Sequence, residues 1–399
     1  MLREDEGFRF DGRAAAILYI GLITILAGMA VSPALAGIKS AFPELDDTTI
    51  QAVLTVPALC VVPGCLVCDS LVSRIGSRST LMIGLVLYLV GGVAAGLMSD
   101  FHLMLMFRAV LGIGVGILTP LAQILISENY TGRVRDMLVG IPASASFLMG
   151  FICATVVGNV AAVDWHLAFA VYLIALPEVF LVILFLPSGP LVERASVHGS
   201  WSPWNGRAWI LVVSLFLTNI AFYTFSTSVA LFMRSEGMGG DEISGYAVSV
   251  FMFTGFVCGL VSSRIRRWLG RSTFPIALAL MSSGFVIMSL SEGLPGVMCA
   301  GALIGGSYLL VYSRMFAGIR EVSKDAFDEK TWISIMTAGM FGGQAVSALV
   351  VSVVTGIIGI SGYRGTFLML AVMLIAGAAI SIMCRIAADR TGHTVHDWS

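Results

Sequence analysis

RAVLGIGVGILTPLAQILISENYTGR, residues Arg108 to Arg133, sets one arginine into a run that carries no other charge between Asp100 and Glu128. A helix through this stretch would hold the Arg108 guanidinium roughly 10 Å below one face of a membrane. A charge at that depth must face protein or water. Gly112 and Gly116 follow at i+4 and i+8, with Gly114 between them. They strip side chains from one flank, so a neighbouring helix can close on the arginine. The stretch reads as a buried site inside a membrane protein.

Composition extends that reading to the whole chain. Of 399 residues, 57% are hydrophobic and only 12% charged, against about 25% charged in a typical soluble domain. No basic footprint for nucleic acid is present. The seven cysteines fall in or beside apolar runs, and no His/Cys cluster has zinc spacing. Cys65 and Cys68 imitate a CxxC but read as lipid- or helix-facing residues, and His393 and His396 lack further ligands; no metal or cofactor is expected. The N-terminal MLREDEGFRFDGR is too acidic for a secretory leader, and the apolar run after it too long for a cleaved one. That run is expected to stay as the first span.

Reading between charges gives twelve apolar segments: 14–38, 48–68, 79–99, 101–127, 137–163, 165–187, 208–233, 243–263, 272–291, 293–313, 331–363 and 365–384. Each is long enough for a bilayer core of about 30 Å. The expected fold class is therefore an all-α membrane protein with twelve transmembrane helices. Eighteen Lys and Arg fall in the connections and tails on the side of the termini, three (Lys39, Arg234, Arg364) on the other. Basic residues stay on the cytoplasmic side, so both termini are expected there, in the cell (inner) membrane. The polar connection Ser188–Arg207 divides the chain into an N-terminal six-helix bundle (1–187), a cytoplasmic linker (188–207), and a C-terminal six-helix bundle with a short tail (208–399).

Three anchors show that the halves repeat. Gly76-Ser77-Arg78-Ser79-Thr80 is similar to Gly270-Arg271-Ser272-Thr273. Gly112xxxGly116 matches Gly301xxxGly305, and Trp165-His166-x-x-Phe169 matches Tyr363-Arg364-x-x-Phe367. Their offsets of 194, 189 and 198 residues sit near half the chain.

With these features in place, the chain resembles the major facilitator superfamily along essentially its whole length. Arg108-x-x-x-Gly112-x-Gly114-x-Gly116 resembles the family's fourth-helix arginine motif. Ser73-Arg74-Ile75-Gly76-Ser77-Arg78 resembles its cytoplasmic signature loop, with Ser73 where an aspartate is usual and Asp69 one turn earlier on nearly the same helical face. The fifth-span stretch Gly150–Asn159 keeps the outer glycines of the antiporter motif but has Ala154 and Thr155 for its inner glycine and proline. Phe341-Gly342-Gly343-Gln344 resembles a phrase of small bacterial drug-efflux-like members. The resemblance implies two pseudosymmetric bundles around a central cavity and alternating access. It implies a secondary transporter, most readily an antiporter exporting a neutral or amphipathic compound by proton exchange.

Candidate site residues follow. Arg108 leads, either ordering a buried hydrogen-bond network or attracting an anion, or else clamping backbone carbonyls at a packing site. Tyr19, Gln123, Asn219, Tyr223, Tyr308, Tyr312 and Gln344 lie on the spans expected to line the cavity, Asn219 and Tyr223 sharing a face at i,i+4. Together they point to an uncharged, moderately apolar cavity with hydrogen-bonding groups. Glu178, in the sixth span, is a candidate proton carrier or a structural carboxyl. Asp69, Arg74, Gly76 and Arg78 form the candidate cytoplasmic gate, and Arg314 reads as an arginine snorkelling to the interface. Gly112, Gly114, Gly116, Gly301 and Gly305 are assigned to helix packing. The expected partners are a small-molecule substrate, protons and the bilayer, with the chain acting as a monomer. Uptake or exchange of an organic anion drawn by Arg108 is the alternative. A polytopic membrane enzyme is disfavoured, because no Ser/His or His/Asp pair lies at membrane depth; the absence of a phosphate-binding loop excludes ATP hydrolysis as the energy source.

Overall fold

The computed structural model describes residues 12–129, 132–186 and 203–390, which are helical throughout apart from short turns. The first-span segment forms α1 (Gly12–Leu26), a break, a 3-10 turn over Ser32–Ala34, and α2 (Leu35–Ala41). Then follow α3 (Asp47–Ile75), α4 (Ser77–Ala95), α5 (Phe101–Asn129), α6 (Gly132–Ala161), a 3-10 segment (Trp165–Ala175) and α7 (Leu176–Phe185). The second half runs α8 (Gly206–Ser235), α9 (Asp241–Leu269), a 3-10 turn (Gly270–Ser272), α10 (Thr273–Leu290), α11 (Leu294–Val322), α12 (Ala326–Ile358) and α13 (Gly362–Arg390).

Ten stretches among the described residues are long and apolar enough to cross a membrane, and one of them, Asp241–Leu290, contains two helices. With the broken first span this makes the twelve crossings expected. Two segments differ from the sequence reading in their backbone. The first span is not one helix over 14–38 but breaks after Leu26, and the sixth begins as eleven residues of 3-10 helix before turning α-helical. Hydropathy registers how apolar a segment is and says nothing of its hydrogen-bond pattern, so both departures escape it. Of the linker assigned to 188–207, residues 188–202 lie outside the described residues, and α8 already begins at Gly206.

The repeat anchors have physical counterparts. Gly76 (φ 83°) and Gly270 (φ 53°) turn the chain at equivalent helix ends in a conformation that a side chain rarely adopts. A Cβ on Gly116 would run into the Val61 carbonyl of α3, and one on Gly305 into the Phe251 carbonyl of α9. The fourth span thus packs backbone to backbone on the second, and the tenth on the eighth, as matching glycines at half-chain spacing require.

The two halves meet along two seams, α3 against α12 and α6 against α9. Counted in spans these are second with eleventh and fifth with eighth, a pair that a twofold relation between the halves exchanges. At the end away from the termini the seams are drawn tight. Gly158 and Gly245 bring the α6 and α9 backbones so close that a Cβ on either would lie 2.7 Å from the other's Cα. Thr155 Oγ1 and Ser249 Oγ are 2.8 Å apart, Gln51 Nε2 donates to Ser228 Oγ at 3.2 Å, and Tyr363 donates to Asp47.

Candidate functional site

Two polar arrangements occupy the middle of the molecule. The first is built on Arg108, which is fully buried. Pro57 sits inside α3 and has no N–H, so the Val53 carbonyl one turn back lacks its helical partner. Arg108 Nε donates to that carbonyl at 2.7 Å. A second guanidinium nitrogen donates to Gly28 O at 3.3 Å, where the first-span break frees the backbone, and the third to the Tyr172 hydroxyl. Tyr172 in turn donates to Ala27 O at 2.7 Å, and its ring lies 5.4 Å from the Arg108 guanidinium carbon. Tyr223 crosses from the other half and donates to Leu54 O at 2.9 Å. Among the described residues the guanidinium's hydrogen bonds to Val53 O, Gly28 O and Tyr172 end on backbone carbonyls and a phenol, and Arg108 does not line the central cavity. The geometry is that of a clamp on the kinked α3 and the broken first span.

The second arrangement lies between the halves. A cavity of about 40 Å³ is walled by Met29 and Phe147 of the first half and by Phe222, Tyr308, Tyr312 and Gln344 among others of the second. Phe222 stacks on Tyr308 with ring centroids 3.6 Å apart. Behind the stack Asn219 Oδ1 accepts from Tyr308 (3.0 Å) and from Gln344 Nε2 (3.3 Å), while its own amide donates to Leu215 O. None of the described lining residues is charged. The space holds a water or so, so an organic solute enters only when the halves part further.

The remaining candidates spread out. Tyr19 donates to Ile174 O at 2.8 Å within the first half. Glu178 is fully buried in the first turn of α7, and neither carboxyl oxygen has a hydrogen-bond partner among the described residues. The Gln123 side chain lies outside the described residues. At the terminal end, Asp69 and Arg74 are exposed, and Arg78 donates to Ile183 O at 3.0 Å, tying the α3–α4 turn to α7. Arg314 does not snorkel: it is 7% exposed and pairs with Glu321 at 3.3 Å, two helical turns on. Gly112 meets the Pro57 carbonyl and Gly114 the α4 backbone at Tyr88, whereas Gly301 is tight only against the Phe225 ring edge at 3.1 Å, with the Ala247 carbonyl and Phe251 at an ordinary 3.4 Å.

Sequence reasoning missed Phe147, Phe222, Met29 and Tyr172, because aromatic and methionine residues in an apolar span carry no signal of which face they occupy. It also missed Asp241, which heads α9, a place where an acidic residue is ordinary. Pro57 was a legible signal, since a proline inside a span frees a carbonyl that some donor must meet.

Comparison with known proteins agrees with this architecture. The arabinose-proton symporter of Escherichia coli (strain K12) is 25% identical over 184 residues, which cover 43% of this chain and 38% of that protein. The multidrug transporter protein MdtP of Bacillus subtilis (strain 168) is 19% identical over 355 residues, 88% of this chain and 60% of that one. The matched region thus spans less than two thirds of either relative. Among solved structures, a point mutant of a peptide transporter POT in complex with sulfate superposes with a TM-score of 0.74 at 13% identity, covering 94% of this chain and 95% of that one. A D-xylose-proton symporter gives a TM-score of 0.72 at 13% identity, covering 93% and 96%. These likenesses establish a shared fold. The model of the Major Facilitator Superfamily matches residues 17–330, and with twelve crossings in two related bundles, the chain belongs to that superfamily of transporters.

Proposed function

We propose that this protein exports a neutral or amphipathic, largely apolar organic compound across the cell membrane, exchanging it for protons, with both termini in the cytoplasm. The observation that carries the reading is the central lining. Aromatic rings and methionines form the walls, the Asn219–Tyr308–Gln344 group supplies a few hydrogen bonds, and none of the described residues lining the space is charged. Such walls suit a flat apolar solute and leave a many-hydroxyl sugar with most of its groups unpaired, which costs affinity. An anion drawn by Arg108 fits less well, since the guanidinium is spoken for by Val53 O, Gly28 O and Tyr172. The activity is transport, by rocking of one half on the other, with no chemical step.

The basic residues concentrated on the terminal side support cytoplasmic termini. Asp69, Arg74, Gly76 and Arg78 then form the inner gate, and Glu178 stands as a structural or proton-carrying carboxyl of the first half.

The test is flux in proteoliposomes under an imposed pH gradient, comparing neutral aromatic dyes with pentoses. Gradient-driven movement of the dyes, lost in Tyr308→Ala and weakened about tenfold in Gln344→Ala, is the expected result. Pentose transport with no dye movement would overturn the substrate class, and flux indifferent to the gradient would overturn proton exchange.

A further inference from the structure

The far, outer end of the molecule is closed by a contact that the transport reading leaves unassigned. Helix α2 is wedged between two side chains of the opposite half. Asp241 Oδ1 accepts the Gly37 N–H at 3.0 Å, and Arg234, at the end of α8, donates to Ala36 O at 2.7 Å and to the Ser40 hydroxyl. Gly37 has no room for a side chain: a Cβ there would collide with the Asp241 carboxylate and sit 3.1 Å from Trp165. Asp241 is 8% exposed, yet it borders a cleft of about 520 Å³ lined by residues of both halves, including Ala36, Asp164, Arg234 and Glu242. A nearly buried carboxylate thus reaches across the seam that must open and stands beside an opening that admits water.

We propose that Asp241 is the positioning residue of the outer gate, whose ionised carboxylate latches the halves shut and whose protonation from the outer side releases them. The inference rests on the transporter reading but not on any substrate. The charged and titratable groups around it are Arg234 from α8, Asp164 just ahead of the 3-10 segment with its partner His166 in that segment's first turn, and Glu242 on its own helix. Lys39 of α2 is turned away, donating to Leu45 O and pairing with Asp47 at 3.5 Å. In the closed state the carboxylate holds one backbone amide across the seam, while the Arg234 guanidinium belongs to its own half and stays beside it in either state. A proton on it weakens the bond from Gly37, and only the closed state has that bond to lose, so acid on the outer side shifts the population toward outer-open.

Glu178 is placed differently. The elements packed on α7, namely α1, α4 and the 3-10 segment, all belong to its own half. Rocking one half on the other leaves those surroundings unchanged, so the seam offers Glu178 no difference between states to respond to.

The experiment reads outer-side opening directly. Ser228 is buried in the closed seam against Gln51, so Ser228→Cys reports opening to a membrane-impermeant maleimide, with the parent protein as the background for its native cysteines. Labelling is expected to rise roughly tenfold as outer pH falls from neutral to acid, the worth of one charge-assisted hydrogen bond. Asp241→Asn in the same background should label fast at every pH. Gly37→Ala, which displaces the carboxylate from the opposite half, should do the same, so that two substitutions on different helices give one phenotype. A pH profile that persists in Asp241→Asn, or labelling as slow as in the Ser228→Cys parent, would overturn the latch. Dye counterflow in the same vesicles keeps the two readings apart, because its loss in the wild type sinks the proposed transport and leaves the gate measurement standing.

Discussion

Arg108 shows what a single residue's setting decides. A buried guanidinium with five donors is tolerable only where acceptors are already fixed, and here Pro57 and the first-span break supply them. Lysine keeps the charge but not the planar fork. Arg108→Lys is therefore expected to lose the Val53 or Gly28 bond, at about 1.5–3 kcal/mol, seen as a lower Tm in detergent. Tyr172→Phe, which removes the hydroxyl that accepts from Arg108 and donates to Ala27 O, should lower Tm as well, and the double variant should fall short of the sum; full additivity would show that the two act separately. Glu236 offers a second residue-scale case. Hydrogen bonds from Arg364, at 2.8 and 3.1 Å, hold its carboxyl below the usual range. A group whose folded value is depressed adds stability above its unfolded value and loses it as pH falls through the folded one. Glu236→Gln should accordingly lower Tm at neutral pH, with the gap to wild type closing below about pH 4. At this scale the sequence showed that Arg108 was buried, since charge in an apolar run is unmistakable. What it bonded was hidden, because the acceptors are backbone atoms whose freedom depends on where helices break.

Among elements, the glycines were the most legible. Spacing at i+4 in a span, repeated half a chain later, picked out Gly116 and Gly305, and both prove to lie against a neighbouring helix's carbonyl. The same spacing could not rank them. Gly301 faces the edge of a ring that can turn aside, whereas a side chain on Gly305 must push back the α9 backbone. Gly305→Ala is thus expected to cost about 1–3 kcal/mol as an overpacked contact and Gly301→Ala clearly less, by thermal unfolding of the purified protein. Equal losses would mean that the α9 backbone is as free to shift as the ring. The broken first span and the 3-10 start of the sixth were illegible for a physical reason. Both are as apolar as their helical neighbours, and their irregular backbones are satisfied by partners distant in sequence, Arg108 and Tyr19.

At the scale of the whole molecule, twelve crossings and a half-chain repeat were open to sequence reading because bilayer thickness and internal offsets are counts. Which state the halves occupy was not, since it depends on contacts between distant segments such as Thr155 and Ser249, 94 residues apart. Tight packing of α6 on α9 at the end away from the termini, with a central space too small for a solute, describes a molecule closed on that side. If rocking must part this seam once per cycle, tying it should stop transport without unfolding anything. Thr155 and Ser249 bring their hydroxyl oxygens to 2.8 Å across it, and the sulfurs of a disulfide need about 2 Å. Thr155→Cys with Ser249→Cys is expected to cross-link under mild oxidant, abolish flux while the link stands, and recover on reduction. Unabated flux in fully cross-linked protein would mean that solute crosses without opening this seam, and the rocking of two rigid halves would have to be given up.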